Sequence, residues 1–310
     1  MSRNLVSVIV PNYCHAKYLD QRIKSIIDQT YHNFELIILD DCSPDNGASK
    51  AVIEKYRDNP HVSQIVYNEQ NSGSTFKQWD KGINLAKGEL IWIAESDDFC
   101  EPNLLEMLIA EFERNPKLTL AYSLTRRVNA DGQPIKYLCY TPSGVTRLDG
   151  KDYVRRYMAM GNHCKNASAC LFKKSAYMKI DKMFTTYKAG GDMLFWIEIA
   201  ELGNVAIINK RLNYFRQHSQ KVTPESSRKG INSIEYKKTF EYVLSNFDVS
   251  KRRKSLMTQY YRYTIKYRKY ESGSIREDVF KYLNLKPLPL LECFNIKILL
   301  ALRNRFSIFV

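Results

Sequence analysis

The sequence predicts an α/β protein: a doubly wound, mostly parallel central sheet flanked by helices, followed by a helical C-terminal extension. Three observations carry this. Strand and helix signals alternate four times within the first 116 residues, the pattern of consecutive βα units. The strand runs are apolar on both faces, as central parallel strands are. The charge is divided: residues 209–310 hold 22 basic and 8 acidic side chains, the whole net charge of +14, whereas residues 1–208 hold 25 of each. Such an asymmetry separates two parts with different tasks.

The elements follow in order. "LVSVIV" (5–10) is a β-branched run and the first strand. "YLDQRIKSIIDQT" (18–30) carries Leu19, Ile23, Ile26 and Ile27 on one helical stripe. "FELIILDD" (34–41), "VSQIVYN" (62–68) and "ELIWIAE" (89–95) are the next three strands, all expected to be central. Helices are predicted over 46–58, over 75–88 with Gly88 as its stop, and over 101–116 with an acidic start. Beyond 117 the pattern loosens. A strand and a turn at Asp131-Gly132 are predicted over 118–135, a helix over 148–160, and a strand then a helix over 166–176. A helix entered through two glycines follows at 190–203, then a strand at 205–218 and basic helices at 227–247, 251–271 and 288–306. The domain boundaries implied are 1–220, with halves at 1–116 and 117–220, and an extension at 221–310.

Several classes are excluded. No stretch reaches the ~20 apolar residues of a membrane-spanning helix. The first residues read as a strand, since no small-residue cleavage site follows the apolar run. Seven cysteines, scattered and never in a CxxC pair, argue for reduced thiols in a cytoplasm rather than a disulfide framework or zinc site.

In a doubly wound sheet ligands bind at the carboxyl ends of the strands. Those ends read "PNY" (11–13), "DDCSPD" (40–45), "NEQNSG" (68–73) and "ESDD" (95–98). Adjacent carboxylates such as Asp97 and Asp98 can share a divalent cation that also meets substrate phosphates. Taken alone, the same pair is first of all a helix cap. The company it keeps shifts the balance. Asp41 can accept a hydrogen bond from a nucleobase imide, and Asp45 can cap the next helix. Tyr13 offers an aromatic lid, and "GGD" sets Asp192 at a helix start behind glycines that allow close backbone approach. One cation site and one separate carboxylate for general base work is what sugar transfer from a nucleotide requires.

The ordered set "SVIVPNY … QTYHNFELIILDDCSPD … NSGS … KGINLAKGELIWIAESDD … GGD" resembles the family 2 glycosyltransferases of GT-A fold, especially bacterial enzymes of capsular and surface polysaccharide synthesis. The resemblance is good over residues 5–110, sparse to about 218, and absent beyond. It implies that Pro11 and Tyr13 form the first nucleotide-binding segment, that Asp41 reads the base edge, and that Asp97 lies near the ribose. It implies Asp98 as the ligand of a Mn²⁺ or Mg²⁺ ion, His218 as a histidine beside that ion or the diphosphate, and Asp192 as the catalytic base. A core or surface histidine remains the alternative for His218. Glu95 reads as a bystander, and Asp40 as the residue that orients the Asp41 loop. The chain departs from the family in lacking its Ala-Arg-Asn segment after the "NSGS" loop, where Lys77 or Lys81 could substitute. It also lacks QxxRW, which tells against a processive synthase.

The expected activity is a single inverting transfer from a UDP- or dTDP-sugar to a saccharide or lipid-linked acceptor lying over residues 140–190, among Lys165, Asn166 and Ser168. The expected location is cytoplasmic, peripheral at the inner face of the membrane. In the tail, "KRRK" (251–254) precedes five tyrosines. Leu291, Phe294, Ile298, Leu302 and Phe306 form a stripe flanked by Lys297, Arg303 and Arg305, as in a helix lying in an anionic membrane interface. Packing of these helices on the catalytic part is the alternative. Two rival functions stand beside this one. A nucleic-acid-binding protein fits the basic tail but not the acidic strand ends, so no nucleic acid is expected. A sugar nucleotidyltransferase would need a glycine-rich loop after strand one.

Overall fold

The structure, a computed structural model, describes residues 4–135, 143–159, 161–218 and 222–306, the side chains of 222–224 and 301–306 excepted. Cys139 and the side chains of Leu302, Arg303, Arg305 and Phe306 therefore lie outside the described residues.

The chain forms the expected α/β architecture. It runs β1 (Val6–Asn12), α1 (Ala16–Ile27), β2 (Phe34–Asp40), α2 (Ala48–Glu54), β3 (Val62–Tyr67), α3 (Thr75–Leu85) and β4 (Leu90–Ile93). Then come β5 (Phe99–Cys100), α4 (Leu104–Arg114), β6 (Leu118–Val128), β7 (Val145–Asp149) and α5 (Gly150–Tyr153), which continues into a π-helical turn at Val154–Met158. β8 (Cys170–Lys173), α6 (Lys174–Tyr177), α7 (Gly191–Glu201) and β9 (Asn204–Arg216) complete the sheet region. Five helices follow: α8 (Val222–Arg228), α9 (Ile231–Asn246), α10 (Lys251–Tyr267), α11 (Gly273–Tyr282) and α12 (Leu290–Phe306).

The strands make one sheet in the order β3-β2-β1-β4-β8-β6-β9-β5, with β7 beside β9. β1 pairs in parallel with β2 and β4, while β8 is antiparallel to β4 and β6. Alternation along β1 explains the two-layered core. Val8 and Val10 face Leu19, Ile23 and Leu108 from α1 and α4. Ile9 faces Trp79 and Ile83 from α3, in a layer that also holds Phe195 and Trp196 of α7. α3 lies directly on β1, because a Cβ on Gly82 would stand 2.3 Å from Ile9. Val243, Phe247 and Met257, from α9, the segment after it and α10, belong to this same layer.

Several expectations change. β3 is an edge strand with partly exposed side chains, consistent with the polar Ser63 and Gln64 in its sequence. The helix expected from Glu101 begins at Leu104, because the chain first makes the short β5, where Phe99 stacks on Tyr214 at 4.4 Å between centroids. Asn103 occupies the N-cap position, so neither Asp97 nor Asp98 caps this helix. The helix expected over 148–160 is only α5, capped by Asp149 through Lys151 N and Asp152 N, and then the π turn. β7 and α11 had no counterpart in the sequence reading.

Parallel register sets the site. Asn12 lies opposite Asp40, so the segments after β1, β2 and β4 emerge at one edge of the sheet.

Candidate active site

Two carboxylates after β2 shape the first wall. Asp40 accepts from Asn12 Nδ2 at 2.7 Å and from Ser43 N and Oγ at 3.0 and 2.7 Å, and so orients the loop as expected. Asp41 is buried and accepts five hydrogen bonds. They come from Asn68 Nδ2 (2.6 Å), Asn71 Nδ2 (3.2 Å), Ser72 N (2.9 Å), Ser72 Oγ (2.7 Å) and Gln78 Nε2 (2.9 Å). A carboxylate has about four lone-pair sites, so Asp41 spends its acceptor capacity on folding the 68–74 loop. Lys77 and Lys81 serve the same loop, donating to Ser72 O at 3.2 Å and Asn68 Oδ1 at 2.5 Å. Pro11 is buried within β1, while Tyr13 at the rim is 45% exposed.

The segment after β4 separates its three acids. Asp98 is 1% exposed and fully engaged. Asn166 Nδ2 and Ser168 Oγ both donate to its Oδ2 at 2.7 Å, and Arg216 N donates to Oδ1 at 3.0 Å. It joins the end of β4, the turn before β8 and the end of β9. Asn166 and Ser168, expected on the acceptor side, are spent on this junction. Arg216 strengthens it from the other end, donating through Nε to Asp97 O and through its terminal nitrogens to Ala130 O and Gln21 Oε1.

This junction delivers His218 to Asp97, with Nε2 2.9 Å from Oδ2. His15, which opens α1, completes the group. Its Nδ1 meets Ser96 Oγ at 2.8 Å and its ring stands edge-on to that of His218, centroids 5.4 Å apart. One ligand atom each from His15, Asp97 and His218 lies within 4.8 Å of the others. Asp97 thus occupies the place beside His218 that the sequence reading gave to Asp98. Two imidazoles and one carboxylate fit a divalent ion, and imidazole favours a first-row transition ion over Mg²⁺. His218 Nδ1 is buried with no partner among the described residues.

Glu95 accepts from Trp79 Nε1 at 2.8 Å. Burial first, and then the charge of Asp97, lift its pKa to about 8, well above the ordinary carboxylate range.

Asp192 sits in the first turn of α7. Burial raises its pKa to about 6, opposed by hydrogen bonds from Met193 N and the Asn162 side chain and by the charge of Lys165. Asn162 Nδ2 donates to Oδ2 at 2.7 Å. The short stretch 162–168 thus touches Asp192 at one end and Asp98 at the other, which ties the base candidate to the strand-end acids. The glycines before Asp192 act on the protein itself. A Cβ on Gly191 would come 2.6 Å from the Phe184 carbonyl oxygen and 2.9 Å from the Phe76 ring, so the close approach they allow is to packing neighbours.

Of the candidates found by sequence, the structure brings Asp97 and His218 together and sets Asp98 behind them. His15, Asn162, Asn166, Ser168 and Arg216 were missed as parts of this site. His15 lay in plain view, two residues past Tyr13 at a strand end. The others act through contacts as distant as Asp98 to Arg216, which no local pattern encodes.

A doubly wound sheet with carboxylates and imidazoles gathered at its carboxyl edge defines an α/β protein of the GT-A type. The family description "Glycosyl transferase family 2" matches residues 7–180, and the chain belongs to that family. Among its relatives is the putative teichuronic acid biosynthesis glycosyltransferase TuaG of Bacillus subtilis, 29% identical over 145 residues. That match spans 47% of this chain and 56% of TuaG. Glycosyltransferase GlyG of Streptococcus pneumoniae is 26% identical over 79% of this chain and 83% of its own length. Poly(ribitol-phosphate) beta-N-acetylglucosaminyltransferase TarP of Staphylococcus aureus is 30% identical over 62% of this chain and 56% of its own. Among solved structures, S. aureus TarS residues 1–349 in complex with UDP-GlcNAc superposes with a TM-score of 0.65 at 17% identity, covering 94% of this chain and 79% of that one. This likeness speaks to the fold.

Proposed function

We propose that the protein is a non-processive, inverting glycosyltransferase of surface polysaccharide synthesis. It moves a sugar from a UDP- or dTDP-linked donor to a saccharide or lipid-linked acceptor. The observation that carries this is the gathering of His15, Asp97 and His218 at the mouth of a family 2 fold whose raised-pKa carboxylate, Asp192, is tied to the same strand ends. TarS was solved with UDP-GlcNAc, and TarP is named for N-acetylglucosamine transfer, which supports a uridine donor.

The donor base lies under Tyr13, against the loop that Asp41 folds, and the diphosphate extends toward Asp97. His15, Asp97 and His218 would hold the divalent cation. When bound, it offsets negative charge on the leaving diphosphate. Asp98 holds Asp97 and His218 in register from behind. Asp192 takes the proton from an acceptor hydroxyl. The hydroxyl oxygen bonds to the anomeric carbon on the face opposite the diphosphate, the carbon–oxygen bond to the diphosphate breaks, and configuration inverts. A base with a pKa near 6 is ionised at neutral pH yet basic enough to accept that proton. The acceptor is presented at an anionic membrane surface on the cytoplasmic side, a reading supported by the apolar face and basic surroundings of α12. Nothing in the fold or the relatives supports the nucleic-acid or nucleotidyltransferase readings.

Thermal-shift measurements with UDP, dTDP, GDP and CDP, each with Mn²⁺ and with EDTA, test this. A shift is expected for UDP or dTDP, larger with Mn²⁺. No shift with any nucleotide would sink the proposal.

A further inference from the structure

The C-terminal helices reach back to the base candidate. Glu235, in the second turn of α9, is 7% exposed, and its carboxylate accepts from three consecutive backbone N–H groups. Lys188 N donates to Oε1 at 2.6 Å, Ala189 N to Oε2 at 3.0 Å and Gly190 N to Oε2 at 2.7 Å. These residues immediately precede α7, and Asp192 follows two positions later. Successive N–H groups converging on one carboxylate form a concave anion site, strong because its acceptor is charged. Gly190 packs directly against this helix: a Cβ there would stand in ordinary van der Waals contact, 3.4 Å from Glu235 Cβ, Glu235 Oε2 and Tyr236 Cε1. The next residue, Tyr236, is near enough to Asp192 for that charge to raise its pKa, after burial.

We propose that Glu235 is a positioning residue for the base at Asp192, and that the C-terminal helical segment is by this contact a working part of the active site. The inference rests on Asp192 acting as the base. Without Glu235, the loop at 188–190 would lose these three hydrogen bonds, and Asn162 would hold the first turn of α7 only through the Asp192 side chain. Misplacing a reacting group by about 1 Å can cost on the order of a hundredfold in rate, so a charged clamp two residues from the base is well placed to matter. Burial is the main cause of the raised pKa of Asp192, so a shift of the turn that carries it would change its titration.

Two readouts that need no turnover assay test this on the full chain. The first is hydrogen exchange at the amides of Lys188, Ala189 and Gly190, compared with the same amides in Glu235→Gln. Protection in the wild type and its loss, by about tenfold or more in exchange rate, is expected in the variant. The second is the carboxyl-carbon NMR titration of Asp192. It should move from near 6 toward the ordinary Asp range in Glu235→Gln, while UDP binding in Mn²⁺ changes by less than about twofold. A purely structural role would lower Tm and leave the Asp192 titration in place, which would overturn the proposal. Rapid exchange of the three amides in the wild-type protein would overturn it even if the variant fails to fold. If Asp192 of the wild type titrates in the ordinary range, the base assignment itself fails, and the exchange data then judge the clamp separately.

Discussion

At the residue scale the adjacent acids Asp97 and Asp98 have opposite tasks, and two substitutions separate them. Asp98 satisfies buried donors from Asn166, Ser168 and Arg216. Asp98→Ala leaves all three unpaired, and each lost partner costs about 1–3 kcal/mol. A fall in stability of about 3 kcal/mol or more is expected in urea unfolding, with a loss below about 1 kcal/mol counting against the junction. Asp97, 8% exposed, meets His218 Nε2 at 2.9 Å on the side of the site that His15 completes. Asp97→Asn should leave Tm nearly unchanged and abolish the Mn²⁺-dependent part of the UDP shift. If the Mn²⁺ effect survives in Asp97→Asn and disappears in a folded Asp98→Asn, the ligand assignment belongs to Asp98 after all. Asn162 gives a third test with a definite sign. Its amide donates to the Asp192 carboxylate and so favours the ionised form. Asn162→Ala removes that support, raises the Asp192 pKa above about 6, and moves the acidic limb of the pH–rate profile to higher pH. A limb that stays or moves to lower pH would contradict the assignment. The two histidines also show how a local signal can be read and its partner missed. His218 stands at a motif position, whereas His15 lies just past the first strand-end segment and carries no motif of its own.

At the element scale, what was legible followed from periodicity. The apolar runs of β1, β2 and β4 and the stripes of α1 and α3 specify themselves, because each must bury the same face that its spacing repeats. The illegible parts are those fixed by partners far along the chain. β5 is two residues long and exists because β9 pairs with it; that pairing delays α4 and removes the capping role from Asp97 and Asp98. The π turn at Val154–Met158 has helical composition and gives no warning of its wider hydrogen bonding. Gly191 was expected to serve a ligand, yet its neighbours are the Phe184 carbonyl and the Phe76 ring. Gly191→Ala should therefore act through α7. With backbone 2.6 Å from the new methyl, the helix start must shift, at a cost of about 1–3 kcal/mol. The Asp192 titration should move with it. A variant of wild-type Tm and unchanged titration would mean the start of α7 is loosely packed.

At the scale of the whole molecule, the charge asymmetry and the last helix meet in one surface. α9 and α10 contribute Val243 and Met257 to the main core, and α12 packs on α10 through Cys293, Ile296 and the Tyr260 and Tyr263 rings. The helices are thus held to the sheet by one face, which answers the packing alternative without using the other face. On α12 that other face leaves Leu290, Leu291, Phe294 and Ile298 exposed at 78%, 74%, 61% and 44%. Lys286 and Lys297 beside them are also exposed. Among the described residues no helix is long and apolar enough to cross a membrane, so such a face is suited to lying in an interface rather than spanning it. Each basic residue near an anionic leaflet contributes about 1 kcal/mol, and the apolar side chains add their transfer from water. The full chain should co-sediment with vesicles containing phosphatidylglycerol, weakly with pure phosphatidylcholine, and less at 0.5 M than at 0.05 M salt, concentrations spanning about a threefold change in screening length. Leu291→Asp with Phe294→Asp should reduce binding at low salt by about tenfold or more while the UDP thermal shift stays as in the wild type. Equal sedimentation of the double variant would place the contact elsewhere on the basic surface, and no sedimentation of either protein would mean that the exposed face of α12 meets something other than lipid.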